Sequence, residues 1–253
     1  VKIIFSTFIF IIGGVFGSFS NVLIYRIPEN ISIITPSSFC PKCGVKIRFY
    51  DNIPIISYII LKGKCRSCEG KIPLRYLLVE VIMASLFLLS YIKFGFSINF
   101  LKSITFIFFA VNISTIDMQK MLIPDVLSLP GLIMGFLFAF LSGKFLYFLT
   151  GGIIGAVIPG IFYITGKIIK RELMGEGDII ILAMIGLYTG WINVFIVLFI
   201  ASLIGSIVGI SLKIKKKIKY LPFAPFLFAS AILLIFYDFS TFLPYLFFKS
   251  YLK

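Results

Sequence analysis

The chain has 253 residues, 60% of them hydrophobic and only 13% charged, with a formal charge of +14. This composition excludes an ordinary soluble domain. The lack of histidine excludes histidine general bases and histidine-containing metal sites. The bases lie in short loops between apolar runs, so anionic membrane lipid is an expected partner and nucleic acid is not.

Apolar runs of membrane-spanning length predict helices at about 3–25, 76–92, 100–116, 126–142, 149–166, 179–190, 191–212 and 222–238. The expected fold is an all-α integral membrane protein with about eight transmembrane helices and a small cytoplasmic zinc-binding loop domain. Residues 1–25 form the first transmembrane helix, 26–75 the loop, and 76–253 a seven-helix membrane core. The first run is long for a signal peptide, and no alanine precedes Ala84 to build a small-residue cleavage site, so it reads as a permanent span. The run at 179–190 is short, as expected of a helix that is tilted or enclosed by protein, and Gly190-Trp191 reads as an outer turn. Nine Lys/Arg fall between Arg26 and Arg75, three at Lys167, Lys170 and Arg171, and five between Lys213 and Lys219. Basic excess marks cytoplasmic loops, so these segments face the cytoplasm and both ends of the chain face outward.

Within the first loop stand Cys40-x2-Cys43 and, 21 residues on, Cys65-x2-Cys68. Paired CxxC turns aim four sulfurs at one ion, which predicts a structural zinc site with ligands Cys40, Cys43, Cys65 and Cys68. Two disulfides or a redox pair are the alternatives, and a reducing cytoplasmic side disfavours them. Lys42, Lys46, Lys64 and Arg66 are placed to offset the thiolate charge.

Among ten acidic residues, two stand where a predicted span meets the cytoplasm. Asp117 ends the third run and Asp178 opens the sixth. Two carboxylates in one site hold a proton between them, so one can activate water while the other polarises a carbonyl. Gly175 and Gly177, flanking Glu176, would let a substrate backbone approach the acid. Each aspartate is equally readable as a helix cap or interfacial charge, a role that suits Asp125 after Pro124. Glu80, inside the second run, reads as a structural acid or as part of a further site.

The segments GSFSNVLIYRIP (17–28), CPKCG, DNIPIISYIILKGKCRSC (51–68), IPLRYLLVE (72–80), IDMQKMLIPDVLSLP (116–130), GEGD (175–178) and LPFAPFLFAS (221–230) together resemble the type IV prepilin peptidases, GxGD-type membrane aspartic proteases that are also N-methyltransferases. The resemblance covers nearly the whole chain. It implies Asp117 and Asp178 as the catalytic pair and the four cysteines as the metal element. It further implies prepilin or pseudopilin substrates of type IV pilus and type II secretion systems. These would be cut after a glycine at the cytoplasmic face of the bacterial inner membrane, then methylated with S-adenosylmethionine. The cysteine loop and Glu80 are the candidates for the second site. A transporter with an acidic proton relay would place its acids at mid-membrane depth, and a non-enzymatic assembly factor would tolerate loss of either aspartate.

Overall fold

The computed structural model describes residues 2–171, 174–216 and 221–237, with only the backbone for 213–216. Glu172, Asp238 and Lys217 to Lys219 of the last basic loop lie outside the described residues. The elements are α1 (Lys2–Arg26), a 3-10 turn (Phe49–Asn52), α2 (Ile56–Ile60), α3 (Arg75–Phe94), α4 (Ile98–Lys120), α5 (Asp125–Leu141), α6 (Phe145–Ile168), α7 (Glu176–Thr189), α8 (Trp191–Lys216) and α9 (Ala224–Phe236). Among the described residues, α1, α3, α4, α6 and residues Trp191–Leu212 of α8 are the five helices long and apolar enough to cross a membrane. The apolar α5 and α9, at 17 and 13 residues, are shorter. The protein is thus an all-helical, multi-pass membrane protein.

The helices fall into two compact units, Val1–Asn112 and Ile113–Lys253, divided within α4. In the first unit α1 packs on α3 through small residues. A methyl group added to Gly13 would stand 2.7 Å from Ala84 Cα, and one on Gly17 2.6 Å from Glu80 Cα. The chain order of these contacts makes the two helices antiparallel. Their backbones close in this way because lipid supplies no hydrophobic drive, and close van der Waals packing must hold the pair. Two buried polar contacts tie α4 to this pair: Ser90 and Ser103 hydroxyls at 2.9 Å, and Asn112 Nδ2 donating to Ser20 Oγ at 2.9 Å.

In the second unit α7 is the central element, packed against α5, α6, α8 and α9. Its residues Ile181 to Thr189 are all buried. At 14 residues it rises only about 21 Å, short of the hydrocarbon thickness, and it is enclosed by protein as its length suggested. An apolar sequence all round the helix suits that position. Gly151 and Gly155 of α6 leave room for the backbone of α7 at Gly186 and Leu182. Gly190 turns the chain from α7 into α8 at φ +88°, where the Tyr147 ring fills the space a side chain would need.

Candidate active site and metal centre

Asp117 lies one turn from the C-terminal end of α4. Its backbone carbonyl accepts the N–H of Met121, at φ +52°, which ends the helix. Its side chain is 6% exposed, and its Oδ2 accepts the backbone N–H of Ala224 at 3.1 Å. Ala224 is the first residue of α9, with Pro225 next. Proline has no N–H to leave unpaired in a first turn, so the free donors there are few and one is given to the carboxylate.

Asp178 is the third residue of α7. Its Oδ2 accepts the N–H of Gly175 at 3.2 Å, and its own N–H returns to the Gly175 carbonyl at 3.2 Å. Each carboxylate is therefore held by a backbone N–H at the start of a helix, where the peptide dipoles favour negative charge. The segment after Met121 brings Ile123 against Gly177: a methyl group on that glycine would stand 2.6 Å from Ile123 Cδ1. Asp178 is near enough to Asp117 for the two charges to interact. The chain just after α4 and the start of α7, the two elements that carry these acids, are thus in contact at Ile123 and Gly177.

The neighbouring groups divide differently. Gly177 is small because Ile123 occupies the adjacent space. Gly175 has an extended φ of −77°, open to any residue, and an added methyl group would make only a 3.4 Å contact with Asp178. Among the described residues its bareness has no packing cause. Asp125 is exposed in the first turn of α5, where Pro124 is the N-cap residue and no side chain makes a capping bond. It supports the helix by its charge, not as the expected hydrogen-bonding cap. Glu176 is exposed and held outward by the Tyr163 hydroxyl and by Lys167 Nζ at 3.9 Å.

In the first unit the two CxxC segments fold as copies of one turn. Cys40 N–H donates to Val45 O at 3.0 Å and Gly44 N–H to Cys40 O at 2.8 Å; Cys65 N–H donates to Gly70 O at 2.9 Å and Glu69 N–H to Cys65 O at 3.0 Å. Antiparallel bridges close both at matching positions, Phe39 with Lys46 and Lys64 with Lys71. Gly44 and Glu69 occupy the same left-handed position, at φ +71° and +53°. The four sulfurs lie within 4.8 Å of one another, and Cys40 and Cys68 stand 4.0 Å apart. A tetrahedron of sulfurs about 2.3 Å from one ion has edges of about 3.8 Å, so four free thiols at this spacing can hold a metal. Backbone N–H groups of Cys68 and Ser67 bring the Cys65 thiol down to about 7. At Cys43 the Val45 N–H works in the same direction, but desolvation and the hydrogen bonds shared with Cys68, Cys40 and Cys65 outweigh it and push the thiol up to about 11. Cys65 therefore ionises before Cys43.

Arg66 does not serve the thiolates as expected. Its Nη2 and Nε grip the Asp51 carboxylate at 2.7 to 3.1 Å, and the Asp51 side chain is 9% exposed. That guanidinium holds the Asp51 carboxyl below its ordinary range. Arg26, one of the bases used to orient the loop, is itself buried. It donates to Ser32 O at 2.9 Å and Pro36 O at 2.8 Å, fixing the start of the loop. Glu80 is buried as well, and accepts the Ile55 N–H at 2.7 Å. It serves the fold and does not face open space as a base.

These features define a helical membrane protein that combines a four-cysteine cluster able to hold a metal with two carboxylates anchored at helix starts. Residues 11–94 match the bacterial peptidase A24 N-terminal domain, and residues 104–210 match the type IV leader peptidase family. The chain is 34% identical over 191 residues to a prepilin leader peptidase/N-methyltransferase of Myxococcus xanthus (strain DK1622), a match covering 74% of this chain and 57% of that one. Enzymes of the same name from Vibrio cholerae (34% over 194 residues, 71% of this chain, 76% of the relative) and Klebsiella pneumoniae (33% over 199 residues, 74% and 86%) are similar. No solved structure is significantly similar. The chain belongs to the type IV leader peptidase family.

Proposed function

We propose that this protein is a prepilin leader peptidase of the bacterial inner membrane. It removes the basic leader of prepilin-like substrates after glycine, and then methylates the new α-amine. The observation that carries the reading is that Asp117 and Asp178 stand on separate helices whose connected ends touch at Ile123 and Gly177, each carboxylate held by a backbone N–H. About eight spans cross the membrane in this reading, with α5, α7 and α9 counted beside the five long helices. Residues 1–25 form the first span, 26–75 the cytoplasmic zinc loop and 76–253 the peptidase core.

Asp117 and Asp178 hold one proton between them. The ionised member takes a proton from a water, whose oxygen attacks the carbonyl carbon of the scissile bond. The protonated member gives its proton to the carbonyl oxygen. As the tetrahedral intermediate collapses, the C–N bond breaks, the departing amine takes up the proton gained from water, and one hydroxyl proton returns to the carboxylate that had given its own. No histidine or serine is required. Gly175 leaves the substrate backbone room beside Asp178, and Gly177 lets the turn seat on Ile123.

Zinc fits the cysteine cluster by donor type, spacing and N–H support. When bound, it cross-links the two turns and is structural, since all four positions belong to protein. Cys40, Cys43, Cys65 and Cys68 would hold it. S-adenosylmethionine, the methyl donor, is carried over from the methyltransferase part of the relatives' name. The unit containing the cysteine loop is assigned the second reaction.

The test is to incubate purified protein in detergent with a prepilin and S-adenosylmethionine and to weigh the products. Loss of the leader followed by gain of one methyl group is expected. An intact substrate with the wild type, or normal cleavage by both Asp117→Asn and Asp178→Asn, would sink the reading.

A further inference from the structure

The segment between the two CxxC turns runs down beside α1. Pro54 lies against α1 at Gly14, where an added methyl group would be 3.4 Å from Pro54 Cβ. Gly14 is twelve residues from the end of α1 at Arg26, a rise of about 18 Å. Its neighbours Gly13 and Gly17 face Ala84 and Glu80 of α3. On that helix, which starts at Arg75, the Pro54 contact therefore falls roughly 10 Å inside the hydrophobic span. After Pro54 the chain climbs back through α2, and Ile53, Ile56, Ile59 and Ile60 are exposed, the last two at 62% and 68%. The polar groups stand at the mouth of the dip. Asp51 and Arg66, the residues that pair there, tie the descending and ascending arms together, with Lys62 and Lys64 just beyond Leu61.

Non-helical backbone at such a depth persists only if its N–H groups are satisfied. Here they are. Pro54, at the deepest point, has no N–H. Ile55 donates to Glu80 Oε2 at 2.7 Å, Ile56 to Pro54 O at 2.6 Å, Ser57 to Ile53 O at 3.0 Å and Ile59 to Ile55 O at 3.2 Å. The Ile56–Pro54 bond closes a three-residue turn with Ile55 at φ +64° and ψ −53°, a costly conformation for a β-branched residue. Such strain persists only where its surroundings enforce it. Glu80 does so, holding the Ile55 N–H from α3.

We propose that residues 52–61 form a re-entrant element whose isoleucines face the acyl chains of the inner leaflet. Glu80 is the positioning residue that holds its turn from α3. The element anchors the cysteine cluster at the membrane surface by an apolar contact added to the two flanking spans. Acyl chains are the occupant because the face lies at hydrocarbon depth beside α1 and α3, with bases only at its rim.

The test uses tryptophan fluorescence. The chain has one tryptophan, so Trp191→Phe gives a dark background for Ile59→Trp or, as the surface control, Val45→Trp on the first cysteine turn. In vesicles of phosphatidylcholine and phosphatidylglycerol, brominated acyl chains should quench position 59 at least twofold, with iodide nearly without effect; position 45 should do the reverse. Iodide quenching of both positions alike, with none by bromolipid, overturns the proposal. Adding Glu80→Leu should make position 59 accessible to iodide, whereas Glu80→Gln, which keeps an acceptor oxygen, should not. Retained zinc content in both shows that the cysteine turns still fold. Identical quenching in both Glu80 variants overturns the positioning role. None of these readouts depends on peptidase activity.

Discussion

At the scale of single residues, Asp117 and Asp125 make an instructive contrast, both being acids near the α4–α5 connection. One is buried and bonded across 107 positions to the start of α9; the other is exposed in a first turn. Asp117→Asn and Asp178→Asn should each abolish cleavage by mass spectrometry, with insertion and zinc content unchanged. The double variant should be no worse than either single one, because groups acting as a unit are not additive. Asp125→Asn should cost only a few tenths of a kcal/mol in stability and leave cleavage near normal. Glu69 supplies a second expectation. It sits at the left-handed position where the first cysteine turn uses Gly44, and such a conformation costs a side chain about 1–2 kcal/mol. Glu69→Gly should therefore tighten zinc about fivefold in chelator competition. The spacing of the cysteines and the identity of the two aspartates were legible in the sequence because both are local patterns. The Ala224 N–H that holds Asp117 was not, since its place depends on packing between distant helices. Its one local signal is Pro225, which marks a helix start.

At the scale of elements, glycine positions decide which helices touch. Gly13 and Gly17 lie one turn apart on α1 against the α3 backbone, and Gly17→Leu has no space to enter. Overpacking of this kind costs about 1–3 kcal/mol, and thermal aggregation in detergent should shift down accordingly. Gly175→Ala makes only ordinary contacts, so stability should hold; a fall in cleavage there would reveal substrate approach. The second cysteine turn depends on the Asp51–Arg66 pair. Asp51 is held below the usual carboxylate range by Arg66. The stability it contributes is present above the unfolded value of about 3.9 and is lost as pH falls through the lower folded value. Arg66→Gln should accordingly speed amide exchange in residues 65–70 at neutral pH, and the difference from wild type should close as the medium becomes more acid than the folded carboxyl. The long spans were readable because twenty apolar residues have few other uses. The segment 52–61 was not, because a run that short is ambiguous between core, loop and re-entrant structure. Hydropathy also gives no sign that Glu80 will meet the N–H of Ile55. Nor does the count of loop bases show that the Arg26 guanidinium is buried against loop carbonyls.

At the scale of the whole molecule, the division of the chain separates the cysteine cluster from the two aspartates. The first unit contains the residues matching the N-terminal peptidase domain, with all four cysteines; the second contains Asp117, Asp178 and most of the residues matching the leader peptidase family. If zinc only cross-links the two cysteine turns, removing one thiolate weakens the loop and leaves the carboxylate pair in place. Cys40→Ser or Cys65→Ser should lower bound zinc and destabilise the loop, because metal affinity is part of its folding free energy. Cleavage should then fall only in part, while methylation of a substrate supplied already cleaved should fall much further. Asp178→Asn should give the opposite pattern, with no cleavage and near-normal methylation of the pre-cleaved substrate. Mass spectrometry of both substrates with both variants resolves the four combinations in one experiment. Loss of cleavage and methylation together in the cysteine variants, with the helices still folded, would show that the metal element serves the aspartate site directly. Loss of pre-cleaved methylation in Asp178→Asn would show that one site performs both reactions.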